Sequence, residues 1–229
     1  MLICTPVQEK TQEKANKRLQ ELKNKADLAE VWIDQIRDLD LRTLIGKAAL
    51  PLVVVCKKPA EKGAFRGSWA DVAVQLENAC KFGAEYVDIP FNMPKNLSKK
   101  VVHSSTSVGI KKKTKIIISH HDFRKTPSSQ WMLKTARAMK KSGADIVKIA
   151  VMARSLEDTF NLICLAQRLQ AEKIPHILIA MGKGGVLSRI ITPFLGGTIM
   201  FAPLKASRAT ASGQLTVAEL KKAWSLIKK

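Results

Sequence analysis

A lysine stands in the middle of an apolar run, GADIVKIAVMA, Gly143 to Ala153. Ile146, Val147, Ile149, Ala150 and Val151 around it have the near-continuous apolar character of a buried parallel strand. A lysine is almost never fully buried without a partner or a purpose. Lys148 therefore either lies near a strand end and reaches solvent, or is held inside a cavity for chemistry. A second group of reactive types follows the apolar stretch of IIISHHDF (116–123), where His120, His121 and Asp122 are adjacent. Imidazoles and carboxylates are the side chains that move protons near neutral pH.

Something must position these residues, and the chain supplies it by alternation. Strand candidates are Leu2–Thr5, Leu28–Ile33, Leu52–Cys56, Tyr86–Ile89, Lys115–Ser119, Ile146–Ala150, Ile177–Ala180 and Ile199–Ala202. Amphipathic stretches follow them at Glu9–Lys25, Leu39–Ala48, Trp69–Phe82, Lys95–Ser105, Ser128–Lys141, Ser155–Glu172, Val186–Phe194 and Thr216–Lys228. Thr126-Pro127 reads as an N-cap and N1 proline, while Gly83, Gly143 and Gly196 follow helical patterns where a left-handed residue is expected. Thr216 with Glu219 makes a capping box. Eight strand–helix units predict a (β/α)8 TIM barrel, α/β in class, as one domain over residues 1–229. A doubly wound sheet usually carries a glycine-rich loop after its first strand, and CTPVQEK is not one. In a barrel, chemistry gathers at the C-terminal strand ends and the loops after them. That rule selects Glu30, Trp32 and Asp34; Lys57 and Glu61; His120, His121 and Asp122; Lys148; Met181 and Lys183; and the residues from Ser207 to Gln214.

The totals exclude several classes. The 229 residues are 46% hydrophobic, enough for a sizeable core, and hold no apolar run long enough to span a bilayer. The start, MLICTPVQEK, lacks the basic region and apolar core of a signal peptide, so a cytoplasmic location is expected. Cys4, Cys56, Cys80 and Cys164 are scattered with no CxxC pairing, and three of them sit in apolar runs, which reads as buried thiols in a reducing compartment. The net charge of +20 could attract nucleic acid, anionic lipid or an anionic substrate. The densest cluster, KKKTK (111–115), has no interleaved aromatic for base stacking, so a solvated lysine surface is expected rather than a nucleic-acid site.

Four segments together resemble type I 3-dehydroquinate dehydratase, a Schiff-base-forming (β/α)8 family of the shikimate pathway. They are IIISHHDFRKTP (116–127), GADIVKIAVMA (143–153), MGKGGVLSRI (181–190) and FAPLKASRATASGQLT (201–216). The resemblance implies dehydration of 3-dehydroquinate to 3-dehydroshikimate. Lys148 falls on the family's Schiff-base lysine, His121 on its general acid/base, and Glu61 on the acid that partners this histidine. Met181 falls on a pocket methionine, and Arg189 and Gln214 on the residues that hold the substrate carboxylate. No metal or dissociable cofactor is implied; the partner is a small anionic substrate, and a homodimer is compatible. The types suit the chemistry. A lysine must lose its proton to attack a ketone, and an apolar interior with nearby cations lowers its pKa. The iminium then draws electrons from the adjacent carbon, and a histidine moves the proton. Taken singly, His121 could be a strand-end histidine satisfied by the backbone, Glu61 a solvated loop acid, Arg189 a helix-surface cation and Gln214 a turn residue.

Five positions depart from the family pattern. Where the resemblance implies E-x-R-x-D, the chain reads Glu30-Val31-Trp32-Ile33-Asp34, so an indole replaces a guanidinium that contacts substrate hydroxyls. Lys57 replaces a second arginine. Pro90 occupies an acidic position at the end of the fourth strand. The loop pattern S-A-P-G-Q reads Thr210-Ala211-Ser212-Gly213-Gln214, and loss of its proline is expected to loosen the loop. Two other readings stay open: Schiff-base lyase or aldolase chemistry on a different hydroxy-keto acid, and a non-catalytic barrel that binds an anion.

Overall fold

Runs such as LVVV (Leu52–Val55) and HILIAM (His176–Met181) are buried at every position, as strands covered on both faces must be. The structure is a computed structural model describing residues 1–106 and 113–227. Lys111 and Lys112 of the basic cluster, and Lys228 at the end of the last expected helix, lie outside the described residues. Among the described residues the strands are β1 (Leu2–Val7), β2 (Leu28–Trp32), β3 (Leu52–Val55), β4 (Tyr86–Pro90), β5 (Lys115–Asp122), β6 (Ile146–Met152), β7 (His176–Met181) and β8 (Ile199–Phe201). The helices are α1 (Gln12–Leu22), α2 (Leu41–Gly46), α3 (Trp69–Lys81), α4 (Lys95–Ser104), α5 (Ser129–Lys141), α6 (Leu156–Ala171), α7 (Val186–Ile191) and α8 (Val217–Ile227). The strands form one sheet in the order β7-β6-β5-β4-β3-β2-β1-β8. This is the (β/α)8 barrel that the alternation predicts.

Two compact units share these elements. The first contains Met1–Thr5, Ser119–Lys141 and Ile146–Lys229. In it β6 pairs in parallel with β7, Lys148 opposite Ile177 and Met152 opposite Met181, and β1 pairs with β8, Cys4 opposite Phe201. Ile3, Met200, Ala202, Val217, Leu220 and Trp224 pack into a core that seats α8. A capping box of Ser155 and Asp158 starts α6. That helix leaves Leu156 and Phe160 exposed. The second unit contains Pro6–Ile118 and Ser142–Asp145. There β2 pairs with β3 without a bulge from Ala29 to Trp32, Glu30 opposite Val53 and Trp32 opposite Val55. Ser68 and Asp71 form the capping box of α3.

Some expected boundaries move, each for a local reason. The Thr216–Glu219 box forms, with Thr216 N donating to Glu219 Oε2 at 2.8 Å and Glu219 N to Thr216 Oγ1 at 3.3 Å. Gly83, Gly143 and Gly196 take φ of 87°, 100° and 87°, as helix-ending glycines do. Thr126, however, does not cap α5. Its hydroxyl donates to the Met152 carbonyl at 2.9 Å, and Ser128 Oγ accepts from Trp131 N at 3.3 Å at the helix start. Helix α7 ends at Ile191 and tightens into a 3-10 turn at Thr192–Leu195, because Pro193 has no N–H to continue an α-helical ladder. Cys4, Cys56 and Cys80 are buried as expected, Cys164 is exposed instead, and none forms a disulfide among the described residues. Burial pushes the Cys56 and Cys80 thiols up to about 12, which makes them inert at neutral pH. No helix among the described residues is long and apolar enough to cross a membrane.

Candidate active site

In the first unit, Lys148 is buried at 4% exposure on β6 and does not reach solvent. Side chains two apart share a strand face, so Lys148, Ala150 and Met152 lie on one face of β6. The Lys148 Nζ sits 4.4 Å from the centroid of the Phe201 ring at the end of β8. His120 and His121 are adjacent on β5 and so leave it on opposite faces. The His120 ring meets Trp131 with centroids 4.9 Å apart, while His121 stacks on Phe123 at 5.9 Å with planes 9° apart. Both imidazoles are partly exposed, unlike Lys148. Met181 closes β7 and is buried.

Arg189 on α7 is 1% exposed. Its Nε and Nη2 have no hydrogen-bond partner among the described residues. Burial pulls the guanidinium from its usual value down to about 10. The helix that carries it is clamped to β7. Ser188 Oγ accepts from Ala180 N at 3.1 Å and donates to the Gly185 carbonyl at 2.7 Å. A Cβ on Gly185 would lie 2.1 Å from the Ala180 carbonyl oxygen, so only glycine permits that approach. Arg189 is thus not the helix-surface cation that its sequence position allows.

The loop after β8 is tied internally. Thr210 N and Oγ1 donate to Gln214 Oε1 at 2.9 and 3.3 Å, and Gln214 Nε2 donates to the Phe201 carbonyl at 3.2 Å. Gly182 N donates to the Ser212 carbonyl at 3.1 Å. Gly213 takes φ 73°, and a Cβ there would fall 2.1 Å from the Gly182 carbonyl oxygen. These hydrogen bonds tie a loop that has serine, Ser212, where the family pattern has proline.

The second unit holds a different constellation. Lys57, two residues beyond β3, is 1% exposed, with its Nζ 2.7 Å from Asp88 Oδ1 and 3.5 Å from Glu61 Oε1. Glu61 ends a 3-10 turn at Pro59–Glu61 and is buried, so it is no solvated loop acid. Glu30 is buried on β2, and the Trp32 indole Nε1 donates to its Oε2 at 2.9 Å. Asp34 accepts from Lys57 N at 3.1 Å and Ala64 N at 2.8 Å. Burial raises its carboxyl above the usual range, and those backbone hydrogen bonds oppose the rise.

Asp88 is the residue that sequence reasoning missed. The family pattern points to Pro90, at the strand end, whereas the acid lies two residues earlier on the same face of β4. The signal was present: a carboxylate inside YVDIP breaks an apolar run just as Lys148 does. Among the described residues no group of three or more His, Cys, Asp or Glu could hold a metal ion.

Comparison with known proteins places the chain. Residues 3–229 match the family model of type I 3-dehydroquinase. The 3-dehydroquinate dehydratase of Methanocaldococcus jannaschii is 32% identical over 226 residues, covering 99% of each protein. That of Methanococcus maripaludis is 33% identical over 226 residues, covering 99% of this chain and all of its relative. Among solved structures, type I 3-dehydroquinate dehydratase from Clostridium difficile with covalent modified comenic acid superposes with a TM-score of 0.88. It is 26% identical and covers 99% of this chain and 91% of the other.

Proposed function

The chain belongs to the type I 3-dehydroquinase family and is a hydro-lyase; from that premise we propose that it dehydrates 3-dehydroquinate to 3-dehydroshikimate through an imine on Lys148. The observation that carries the reading is the presence, within one unit, of a buried lysine and a buried guanidinium two of whose nitrogens have no acceptor among the described residues. A buried charge without a partner is costly, and a carboxylate is the ligand that offsets the cost by bidentate hydrogen bonding. Arg189 receives the substrate carboxylate. Gln214 and Thr210 keep the neighbouring loop in place, and Met181 adds apolar wall.

The neutral Lys148 amine adds to the substrate ketone, and loss of water leaves a protonated iminium. That group withdraws electrons from the adjacent carbon, whose proton passes to His121. The resulting enamine expels the hydroxyl group, which leaves as water after taking a proton from His121. Hydrolysis of the iminium returns the lysine and the unsaturated ketone, so the net change is loss of one water. No metal or dissociable cofactor takes part; the covalent partner is the lysine.

Formation of the conjugated ketone, followed by ultraviolet absorbance, tests this. Lys148→Ala is expected to abolish the signal and His121→Ala to lower it by about 10²–10⁴-fold. Undiminished turnover in Lys148→Ala would defeat the imine. One observation favours a second reading, the same imine chemistry on another hydroxy-keto acid. The Trp32 N–H is already engaged by Glu30, and an indole has no further donor for a hydroxyl. A substrate with fewer hydroxyls that turns over faster than 3-dehydroquinate would decide for it.

A further inference from the structure

Phe201 has no part in the roles assigned so far. Its ring is 5% exposed, and the 4.4 Å between its centroid and Lys148 Nζ is inside the separation of about 6 Å over which an aromatic face attracts a cation. The backbone on both sides of the ring is fixed. The Phe201 carbonyl accepts from Gln214 Nε2 at 3.2 Å, Ala202 N donates to the Cys4 carbonyl at 3.0 Å, and Thr5 Oγ1 donates to the Ala202 carbonyl at 2.9 Å. Both partners are buried, so the attraction is weakly screened.

We propose that Phe201 is a positioning residue for the nucleophile, its ring face stabilising the positive charge that forms at Lys148 Nζ when the neutral amine becomes the iminium. The inference rests on the imine reading given above. Amine, ketone and one proton become iminium and water: a C–N bond forms, the C–O bond breaks, and the oxygen leaves as water. The positive charge that results is shared by the nitrogen that the ring faces. A carboxylate in that place would also attract the cation, but it would compete for the proton. An aromatic face attracts the charge and accepts no proton.

The test uses the full chain and glyoxylate, a small aldehyde acid without ring hydroxyls, reduced with borohydride and read by peptide mass at Lys148. At subsaturating glyoxylate, Phe201→Leu is expected to trap about tenfold less adduct than the unmodified chain, equivalent to about 1.4 kcal/mol, while Phe201→Tyr stays within about twofold. Pentafluorophenylalanine at 201 keeps the ring's shape and reverses its electrostatics; it is expected to behave as leucine does and replaces that variant if Phe201→Leu does not fold. Equal trapping in the unmodified chain and in folded Phe201→Leu or the fluorinated variant overturns the inference, as does joint loss in leucine and tyrosine variants. Running 3-dehydroquinate in parallel separates the two claims. Trapping of glyoxylate but not of 3-dehydroquinate defeats the dehydratase reading and leaves the role of Phe201 standing.

Discussion

Lys57 and Arg189 are both about 1% exposed, yet their surroundings differ. Lys57 lies against two carboxylates, Asp88 at 2.7 Å and Glu61 at 3.5 Å. Arg189 has two guanidinium nitrogens with no acceptor among the described residues. A paired buried charge serves the folded chain, since removing either partner strands the other. An unpaired one is a burden on the folded chain unless a ligand completes it. The contrast separates a cation held by the fold's own carboxylates from one whose donors the described residues leave open, and it does so without reference to family.

The sharpest way to break the comparison is to remove Asp88. Asp88→Ala leaves Lys57 with a lost partner in a dry site and is expected to cost about 3–5 kcal/mol, read from urea unfolding. A loss below about 1 kcal/mol would mean that water reaches Lys57. The opposite sign is expected at the other cation. Arg189→Met fills similar space without charge, and the fall of the guanidinium toward 10 corresponds to a gain of about 3 kcal/mol at neutral pH. The same variant is expected to lose the stabilisation that carboxylate ligands give, measured as the rise in Tm with added 3-dehydroquinate. A destabilised Arg189→Met would show that the arginine is a structural group.

Trp32 offers a smaller effect. Trp32→Arg restores a forked donor beside Glu30, and hydrogen bonds to charged groups contribute about 1.5–3 kcal/mol, so kcat/KM for 3-dehydroquinate is expected to rise at least about tenfold. No rise would favour the substrate with fewer hydroxyls.

The smallest effect lies at His176, buried at the start of β7 with Nδ1 3.0 Å from the Ile174 carbonyl oxygen. Burial lowers its pKa below the usual 6.5. The unfolded chain therefore binds the extra proton first, and this residue's contribution is present above pH 6.5 and lost as the pH falls through the lower folded value. His176→Asn is expected to flatten the acid limb of the stability profile by at most about 1.4 kcal/mol per pH unit. An unchanged slope would mean that the folded chain protonates His176 as readily as the unfolded one.

What the sequence revealed, it revealed through anomalies in a periodic pattern. A lysine inside an apolar strand is visible without any structure, and so are eight alternating units and the Thr216–Glu219 cap. Asp88 is the same kind of anomaly, yet its meaning depends on Lys57, thirty-one residues away, so pairing was not legible. Arg189 illustrates the converse. Its type and spacing fit a helix surface, and only the clamp of Ser188 and Gly185 against Ala180 shows that it is enclosed. Thr126 has a capping residue's type, but Met152 claims its hydroxyl. The ring that faces Lys148 was illegible for the same reason, because a phenylalanine at a strand end is ordinary until a cation is placed over it.

The central claim is that Lys148 is the nucleophile. The most direct measurement is borohydride reduction in the presence of 3-dehydroquinate, followed by intact mass and identification of the modified peptide. One adduct per chain is expected, on Lys148, absent in Lys148→Ala. A folded chain that turns over substrate yet carries no adduct at Lys148, or carries it on another lysine, would contradict it.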